Sequence, residues 1–460
     1  MFTLFPDQIE IENLVLSYFA QSLRRVLMVS PTGSGKTVTF CDIVSKAIAK
    51  GKRVLVLCHR DELITSAKEK LNEFGIFPHL IIAKSIDNPA ALCSVASVST
   101  LRKRNLLTYD LVVIDEAHRC DFDKIIDQLV SLCNPYILGV TASPVRTGAQ
   151  RCLSTIYEAM AEVATIKQLI SNKRLTRARH FSPKKDFSKI KITGNDYDLH
   201  AISDAFNKAE MYDGMIDKYR EFAEGTKTII FNSNVENSLI TRDKFREEGY
   251  ECEHIDGNTP GWKRRDILKD LKHKPNFIVT NCDILTTGFD EKTLTTVLVN
   301  RATLSLALWL QMCGRGARAL EGKEHFNIVD MGANAWRHLP WHFDRKWSLK
   351  KKPKGKSDGV TGLKVCKACQ ALNSSSARKC CECGTELTNP VEKMLKNGEF
   401  MEITSEMERG VEAYFDKSKA SFKELHKYAK QKGYSPGWAK VQYDLQQKAK
   451  EAEPFSRGAK

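Results

Sequence analysis

The chain contains no run of about eighteen consecutive apolar residues, which excludes a helix able to cross a membrane. Its first residues, Met1-Phe2-Thr3-Leu4-Phe5-Pro6, lack the basic and apolar regions of a secretory signal, so a cytoplasmic protein is expected. Closely spaced cysteines are missing from most of the chain. Nine of the fourteen, Cys58, Cys133 and Cys282 among them, occur singly, a scatter that suits a reducing compartment, where such residues behave as small apolar side chains. Acidic residues are in deficit: 56 Asp+Glu face 71 Lys+Arg, a net charge of +15 that points toward polyanionic partners. From residue 341 onward 25 Lys+Arg face 15 Asp+Glu, so this last quarter carries +10 of the excess. What is present, 460 residues at 42% hydrophobic content, suffices for two to four domains with substantial cores.

The most informative stretch is Ser30-Pro31-Thr32-Gly33-Ser34-Gly35-Lys36-Thr37. An apolar run, Val26-Leu27-Met28-Val29, leads in, and a helical pattern over residues 38–48 leads out. Strand, Gly-rich turn, Lys-Thr and helix together grip a nucleoside triphosphate. Turn N–H groups and the positive helix N-terminus face the phosphates, Lys36 reaches the β/γ oxygens, and Thr37 holds Mg²⁺. Ser30 stands where the generic pattern has its first Gly. Upstream, an amphipathic helix is expected over residues 9–23, and Gln8 is placed to read an adenine edge with its donor–acceptor amide. Val54-Leu55-Val56-Leu57 reads as a buried parallel strand. Residues at the C-terminal tips of such strands bind ligands, so His59 and Arg60 become candidate contacts to a nucleic-acid backbone. Residues 94–101 read as a strand ending in hydroxyls, with Ser99 and Thr100 suited to phosphate oxygens. Leu111-Val112-Val113-Ile114 delivers Asp115 and Glu116 to a strand tip, the first to hold Mg²⁺ and the second to polarise an attacking water. Residues 136–140 form a further strand pattern ending in Thr141-Ala142-Ser143.

Residues 165–215 are mixed and polar and read as the connection to a second lobe. Order resumes at Lys227-Thr228-Ile229-Ile230-Phe231-Asn232-Ser233-Asn234. A basic helix with Lys263-Arg264-Arg265 comes next, followed by the strand-to-loop run 277–290 and the strand pattern 297–300. In Gln311-Met312-Cys313-Gly314-Arg315-Gly316-Ala317-Arg318 the two arginines, three apart, are expected on one helix face. Arginines reaching across a cleft stabilise the charge of a transferring phosphoryl group, worth roughly 10³–10⁵ in rate.

In this order the runs resemble a superfamily 2 helicase or translocase of the DEAH-box type. Residues 30–37 match motif I, 115–118 motif II, 141–143 motif III in a Thr-Ala-Ser form, 280–290 motif V and 311–318 motif VI; 59–63 is similar to motif Ia and 232–234 to motif IV. The resemblance implies an α/β fold of two tandem RecA-like, doubly wound parallel-sheet domains, residues 1–165 and 166–340, with ATP between them and nucleic acid across both. It further implies that Gln311 contacts the nucleotide or its water, that Gly288 and Asp290 couple the cleft to the strand-binding face, and that Asn232, Ser233, Thr280 and Asn281 meet the nucleic acid.

Beyond residue 340 the character changes. Residues 341–362 are expected to form a basic linker, with Arg345, Lys346, Lys350, Lys351 and Lys352 near Trp341 and Trp347, touching phosphates and stacking on bases. Cys366, Cys369, Cys380 and Cys383 form two C-x₂-C knuckles suited to a structural tetrahedral Zn²⁺, a zinc-ribbon-like module over residues 363–390. Residues 391–460 read as a basic helical region ending in a helical hairpin, with Trp438 a candidate nucleic-acid contact. The helicase core together with the four-Cys element resembles RadD-like bacterial helicases and, more distantly, UvrW-like phage branch-migration helicases. That resemblance implies an ATP-dependent DNA helicase acting on single-stranded, forked or branched DNA in replication, recombination or repair, with proteins of those pathways as partners, in a bacterial or phage-infected host cytoplasm. An RNA helicase, a non-catalytic nucleic-acid-binding adaptor and a restriction-type motor subunit are the rival readings.

Overall fold

A computed structural model describes residues 3–146, 150–183, 192–193, 196–198, 209–286, 289–350, 363–366, 372–374, 378–380, 383–387, 400–403, 440 and 443. The first lobe carries seven strands: β1 (Arg25–Val29), β2 (Val54–Cys58), β3 (His79–Ile81), β4 (Cys93–Ser97), β5 (Leu111–Asp115), β6 (Tyr136–Thr141) and β7 (Ala159–Glu162). They pair in the order β3-β4-β2-β5-β6-β1-β7, every pair parallel. A parallel sheet buries both faces under crossover helices, and for that reason β2, β4 and β5 are buried at every position. Alternate residues of β1 serve opposite cores: Val26 and Met28 pack with the helix Lys36–Ala49, whereas Leu27 and Val29 pack with the helix Asp123–Cys133.

The second lobe begins with β8 (Arg177–Pro183) and a short antiparallel hairpin, β9 (Ile192–Thr193) and β10 (Asp196–Tyr197). It continues through β11 (Thr228–Asn232), β12 (Cys252–Ile255), β13 (Ile278–Asn281), β14 (Thr296–Asn300) and β15 (His325–Asp330). A two-stranded unit, β16 (Leu363–Val365) and β17 (Leu372–Ser374), precedes β18 (Phe400–Ile403). The large sheet runs β12-β13-β11-β14-β15-β8-β18, parallel except for β18, which pairs antiparallel with β8 at the edge. Among the described residues no helix is long and apolar enough to cross a membrane.

Four expectations need correction. The first helix spans Pro6–Ala20, not 9–23, because Pro6 occupies an N-terminal position where its missing N–H costs nothing. The hydroxyl-ended strand stops at Ser97, and Val98–Leu101 is a helical turn. Residues 400–403, expected within a helical region, form the edge strand, tied down by paired Arg179–Glu402 contacts of 2.9 and 3.1 Å. The hairpin expected near the C-terminus lies outside the described residues, apart from Lys440 and Tyr443.

The fourth correction concerns residues 341–350, expected to be a basic linker. Trp341 and Phe343 are buried in the core of the second lobe, with Trp341 edge-on to Phe326 at 5.7 Å. Arg345 folds back to donate to the carbonyls of His338, Leu339, Pro340, Trp341 and Phe343. Trp347 packs against the cores of both lobes, and the Leu349 carbonyl accepts from the Ser154 N–H of the first lobe at 3.0 Å. This segment is a strap across the lobes, and its cationic side chains conceal its apolar anchors.

Candidate active site and nucleic-acid face

The phosphate-loop backbone is built around two left-handed residues, Gly33 (φ 94°) and Gly35 (φ 89°), the second capping the helix Lys36–Ala49. Only glycine serves at either place. A Cβ on Gly33 would meet Leu175 at 2.8 Å, and one on Gly35 would meet Gln8 at 2.4 Å. Ser30 has a structural use: its hydroxyl bonds that of Ser34 at 2.6 Å, and its N–H joins the Thr141 carbonyl at 3.0 Å. Thr32 packs so closely on Gly314 that a Cβ there would approach to 2.7 Å. Pro31 offers its carbonyl to Lys36 Nζ at 3.4 Å, and Thr37 follows in the first helical turn.

At the tip of β5, Asp115 and Glu116 are both buried, and Glu116 takes a left-handed φ of 55°. Burial and then the neighbouring Glu116 charge push the Asp115 carboxyl above its ordinary range, while burial lowers the Lys36 ammonium against the pull of both carboxylates. Two carboxyls crowded beside a buried lysine form a donor set that fits a divalent cation. His118 bonds the Thr141 hydroxyl at 2.9 Å and lies 3.4 Å from Glu116, so the motif II His ties the acidic pair to the end of β6. Burial keeps its imidazole neutral.

The second lobe meets this site directly. Gln311 donates from Nε2 to Glu116 Oε2 at 3.1 Å, and Arg318 donates from Nη1 to the Gly33 carbonyl at 2.8 Å while pairing with Asp290 at 2.9 Å. The helix expected to carry both arginines ends at Cys313, so Arg315 lies in the following turn and Arg318 in the β-bridge after it, not on a shared helical face. Arg315 turns toward the carbonyls of Phe289 and Thr286, and burial followed by the nearby Arg318 charge lowers it to about 10. Gln8 departs from its expected use. Its Oε1 accepts the Phe5 N–H at 2.9 Å, and its Nε2 donates to the Ser34 and Gly35 carbonyls at 3.1 and 3.3 Å, bracing the loop. Gly288 lies outside the described residues.

Elsewhere between the lobes Arg60 donates to the Asp283 carbonyl at 2.8 Å, and Arg264 pairs with Glu62 at 2.7 Å, so the lobes share a second set of contacts. His59 is held neutral, burial and then Arg119 and Arg60 lowering it to about 4. Ser99 is exposed, its hydroxyl 2.8 Å from that of Ser97, and Thr100 is half-buried beside it. Asn232, Thr280 and Asn281 depart from the expectation of nucleic-acid contact. Asn232 accepts from Thr241 and Asn300, Thr280 donates to the Ser238 carbonyl and Asn281 to the Ile230 carbonyl, all within the lobe. Both faces of this sheet are covered, so β11 and β13 are buried at every position and these side chains bond inside the lobe. Ser233 is buried as well. Trp438 lies outside the described residues.

The sulfur atoms of Cys366, Cys380 and Cys383 lie within 4.8 Å of one another, Cys366 and Cys383 at 3.4 Å, a spacing that a tetrahedral thiolate-bound ion fits. Left-handed Gly384 (φ 74°) closes this knuckle with a bond from its N–H to the Cys380 carbonyl. Cys369 lies outside the described residues.

Spacing alone missed Arg174, which sits in the polar connection yet donates to the Ser34 carbonyl at 2.6 Å. Nor did it show the pairing of Arg301 with Asp283 at 2.7 Å, which steadies a left-handed Asp283 (φ 60°) beneath Arg60.

Comparison with known proteins places this geometry. Residues 1–146 match the family described as Type III restriction enzyme, res subunit, and residues 207–320 match the Helicase conserved C-terminal domain. The chain is 30% identical over 373 residues to a 51.5 kDa protein of Lactococcus phage (isolate 7-9), covering 79% of this chain and 78% of that one. It is 28% identical over 344 residues to the Saccharomyces cerevisiae protein IRC3, named as an ATP-dependent helicase, covering 68% of this chain and 49% of that one. The chain thus spans about half the length of the yeast protein. Among solved structures, an HsdR-subunit fragment of a type I restriction enzyme from Vibrio vulnificus superposes with a TM-score of 0.57 at 21% identity, covering 72% of this chain and 64% of that one. The ATP-dependent Type ISP restriction-modification enzyme LlaBIII bound to DNA gives 0.53 at 18% identity, covering 71% of this chain and 28% of that one.

Proposed function

Because the chain belongs to the superfamily 2 helicases and is an ATP-dependent enzyme acting on nucleic acid, we propose that it is a DNA translocase that unwinds or remodels forked and branched DNA in replication, recombination or repair. The observation that carries the motor reading is the pair of cross-lobe contacts, Gln311 to Glu116 and Arg318 to Gly33, which place second-lobe donors on the two elements that grip and hydrolyse a nucleotide. DNA is favoured over RNA by the resemblance to RadD-like helicases and by the likeness to a DNA-bound restriction motor.

In this mechanism Lys36, the loop N–H groups and the helix N-terminus hold the ATP phosphates, and Thr37 with Asp115 would hold Mg²⁺. The ion, when bound, neutralises charge on the β- and γ-oxygens. Glu116 orients the attacking water and takes its proton, while Gln311 holds the Glu116 carboxylate. Arg318 and Arg315 offset charge spreading over the transferring phosphoryl group. Departure of inorganic phosphate, which carries that charge away, releases the arginines; the lobes part, and the cross-lobe contacts of Arg60 with Asp283 and Arg264 with Glu62 break. Alternating grip on the backbone then gives stepping. A structural Zn²⁺ on Cys366, Cys369, Cys380 and Cys383 would stabilise the module after the strap.

The test is ATP turnover measured with single-stranded, duplex, forked and four-way DNA and with matched RNA. Strongest stimulation by forked or four-way DNA is expected; equal or greater stimulation by RNA would overturn the DNA assignment.

A further inference from the structure

Arg174 lies between the helix Ile166–Ser171 and β8, in a turn closed by N–H bonds from Arg174 and Leu175 to the Leu169 carbonyl. Lys173, at a left-handed φ of 55°, turns the chain toward the first lobe. Leu175 and Thr176 join the loop carrying the arginines. Leu175 forms an antiparallel bridge with Arg318, the Thr176 N–H donates to the Ala317 carbonyl at 2.8 Å, and the Thr176 hydroxyl donates to the Arg318 carbonyl at 3.0 Å. Arg174 therefore directly precedes a small ladder within the second lobe that includes Arg318.

Their side chains act on one target. Arg318 donates to the Gly33 carbonyl and Arg174 to the Ser34 carbonyl, consecutive oxygens of the phosphate loop, at 2.8 and 2.6 Å. Arg174 also pairs with Asp7, and its guanidinium lies 3.7 Å from the centre of the Phe5 ring, so its orientation is fixed from three sides. Its side chain is only 11% exposed. Leu175 fills the space over Gly33, where a Cβ would come within 2.8 Å of it. A shift of the phosphate loop must therefore move Arg174, and the ladder carries that shift to Arg318.

We infer that Arg174 is a positioning residue that couples the phosphate loop to Arg318, setting when that guanidinium meets the transferring phosphoryl group. It is a mechanical relay, not a ligand of the nucleotide. The inference rests on Arg318 acting on the phosphoryl group as proposed above.

The experiment is a double-mutant cycle on the full chain with Arg174→Met, Arg318→Ala and both, reading nucleic-acid-stimulated kcat and the KM for ATP separately. Arg174→Met should lower kcat about tenfold with KM changed less than about twofold, and in the Arg318→Ala background it should cost less than about twofold more. Arg174→Lys, which cannot span Asp7, Ser34 and Phe5 together, should fall between wild type and Arg174→Met. Losses that multiply, a raised KM at unchanged kcat, or an unaltered kcat would each overturn the relay. Should Arg174→Met melt well below wild type, Asp7→Asn takes its place in the cycle with the same expectations. Full turnover in Arg318→Ala alone would instead sink the proposed role of Arg318, so the two failures are distinguishable.

Discussion

Replacing Arg345 by Met tests whether residues 341–350 belong to the second lobe or merely trail from it. The Arg345 guanidinium donates to five carbonyls, the best formed being those of Phe343 at 2.7 Å and His338 at 2.9 Å. It thereby locks the turn that lowers Trp341 and Phe343 into the core. A hydrogen bond from a charged donor contributes roughly 1.5–3 kcal/mol, so losing the two best, with partial rehydration of the freed carbonyls, costs about 3–5 kcal/mol. For a lobe of this size each kcal/mol shifts Tm by about 2–4 °C, which gives a fall of roughly 6–20 °C. Calorimetry on the full chain is the assay, because it can separate the melting of the two lobes. Arg345→Lys should fall nearly as far, since one ammonium cannot span carbonyls on both sides of the turn. Trp341→Ala, which empties a fully buried site, provides a benchmark of about 3–5 kcal/mol. A Tm within about 2 °C of wild type for Arg345→Met, or full rescue by Lys, would refute the strap. One consequence concerns truncation: ending the chain at 340 removes part of a core, so any loss of DNA binding would report unfolding; an informative cut falls after 350.

Three further outcomes are expected. Glu116→Gln retains an acceptor for Gln311 and so preserves the cross-lobe contact, yet loses the base; kcat should fall by about 10²–10⁴ with nucleotide affinity intact, and residual turnover above a tenth would remove Glu116 from its role. Metal analysis should find about one Zn per chain, lost in Cys380→Ser, whereas equal zinc in both proteins would displace the site from these sulfurs. Burial, then the charge of Asp344, raises Glu162 to about 7. The stability due to its neutral form is complete below its unfolded value of about 4.5 and is lost as pH rises through 7. Melting curves of wild type and Glu162→Gln should therefore nearly coincide at pH 5 and separate by pH 8 with the variant higher, and a pH-independent gap would contradict this.

The strands could be read from the sequence because a parallel sheet buries both faces, so β2 is an unbroken apolar run and β5 and β14 are built on the apolar stretches 111–114 and 297–299. The glycines and Lys36 of the phosphate loop were legible because a left-handed turn and a helix start demand particular residue types. Other features lacked such a signal. Gly314 keeps a right-handed conformation, so the helix ends at Cys313 without the left-handed glycine that commonly closes one. The four-residue β18 has no pattern apart from its partner β8. Asn232, Thr280 and Asn281 lie at the ends of strands whose two faces are both covered, so polar residues that read from the sequence as surface contacts bond within the lobe instead.

Arg174 shows what kind of reasoning would have gone further. Its partners Asp7 and Ser34 lie more than a hundred residues away, so no local period can report them. Accounting for backbone acceptors can. A turn that directs its N–H groups toward phosphate leaves its carbonyls facing the other way, and part-buried carbonyls need donors. The carbonyls of Gly33 and Ser34 find them in distant side chains, Arg318 for the first and Arg174 with Gln8 for the second, while that of Gly35 takes the Thr39 N–H of the helix with Gln8 beside it. The loop's geometry thus requires side-chain donors behind it as well as phosphate in front. Two of those donors come from the second lobe, so holding the nucleotide and closing the lobes depend on opposite faces of the same loop.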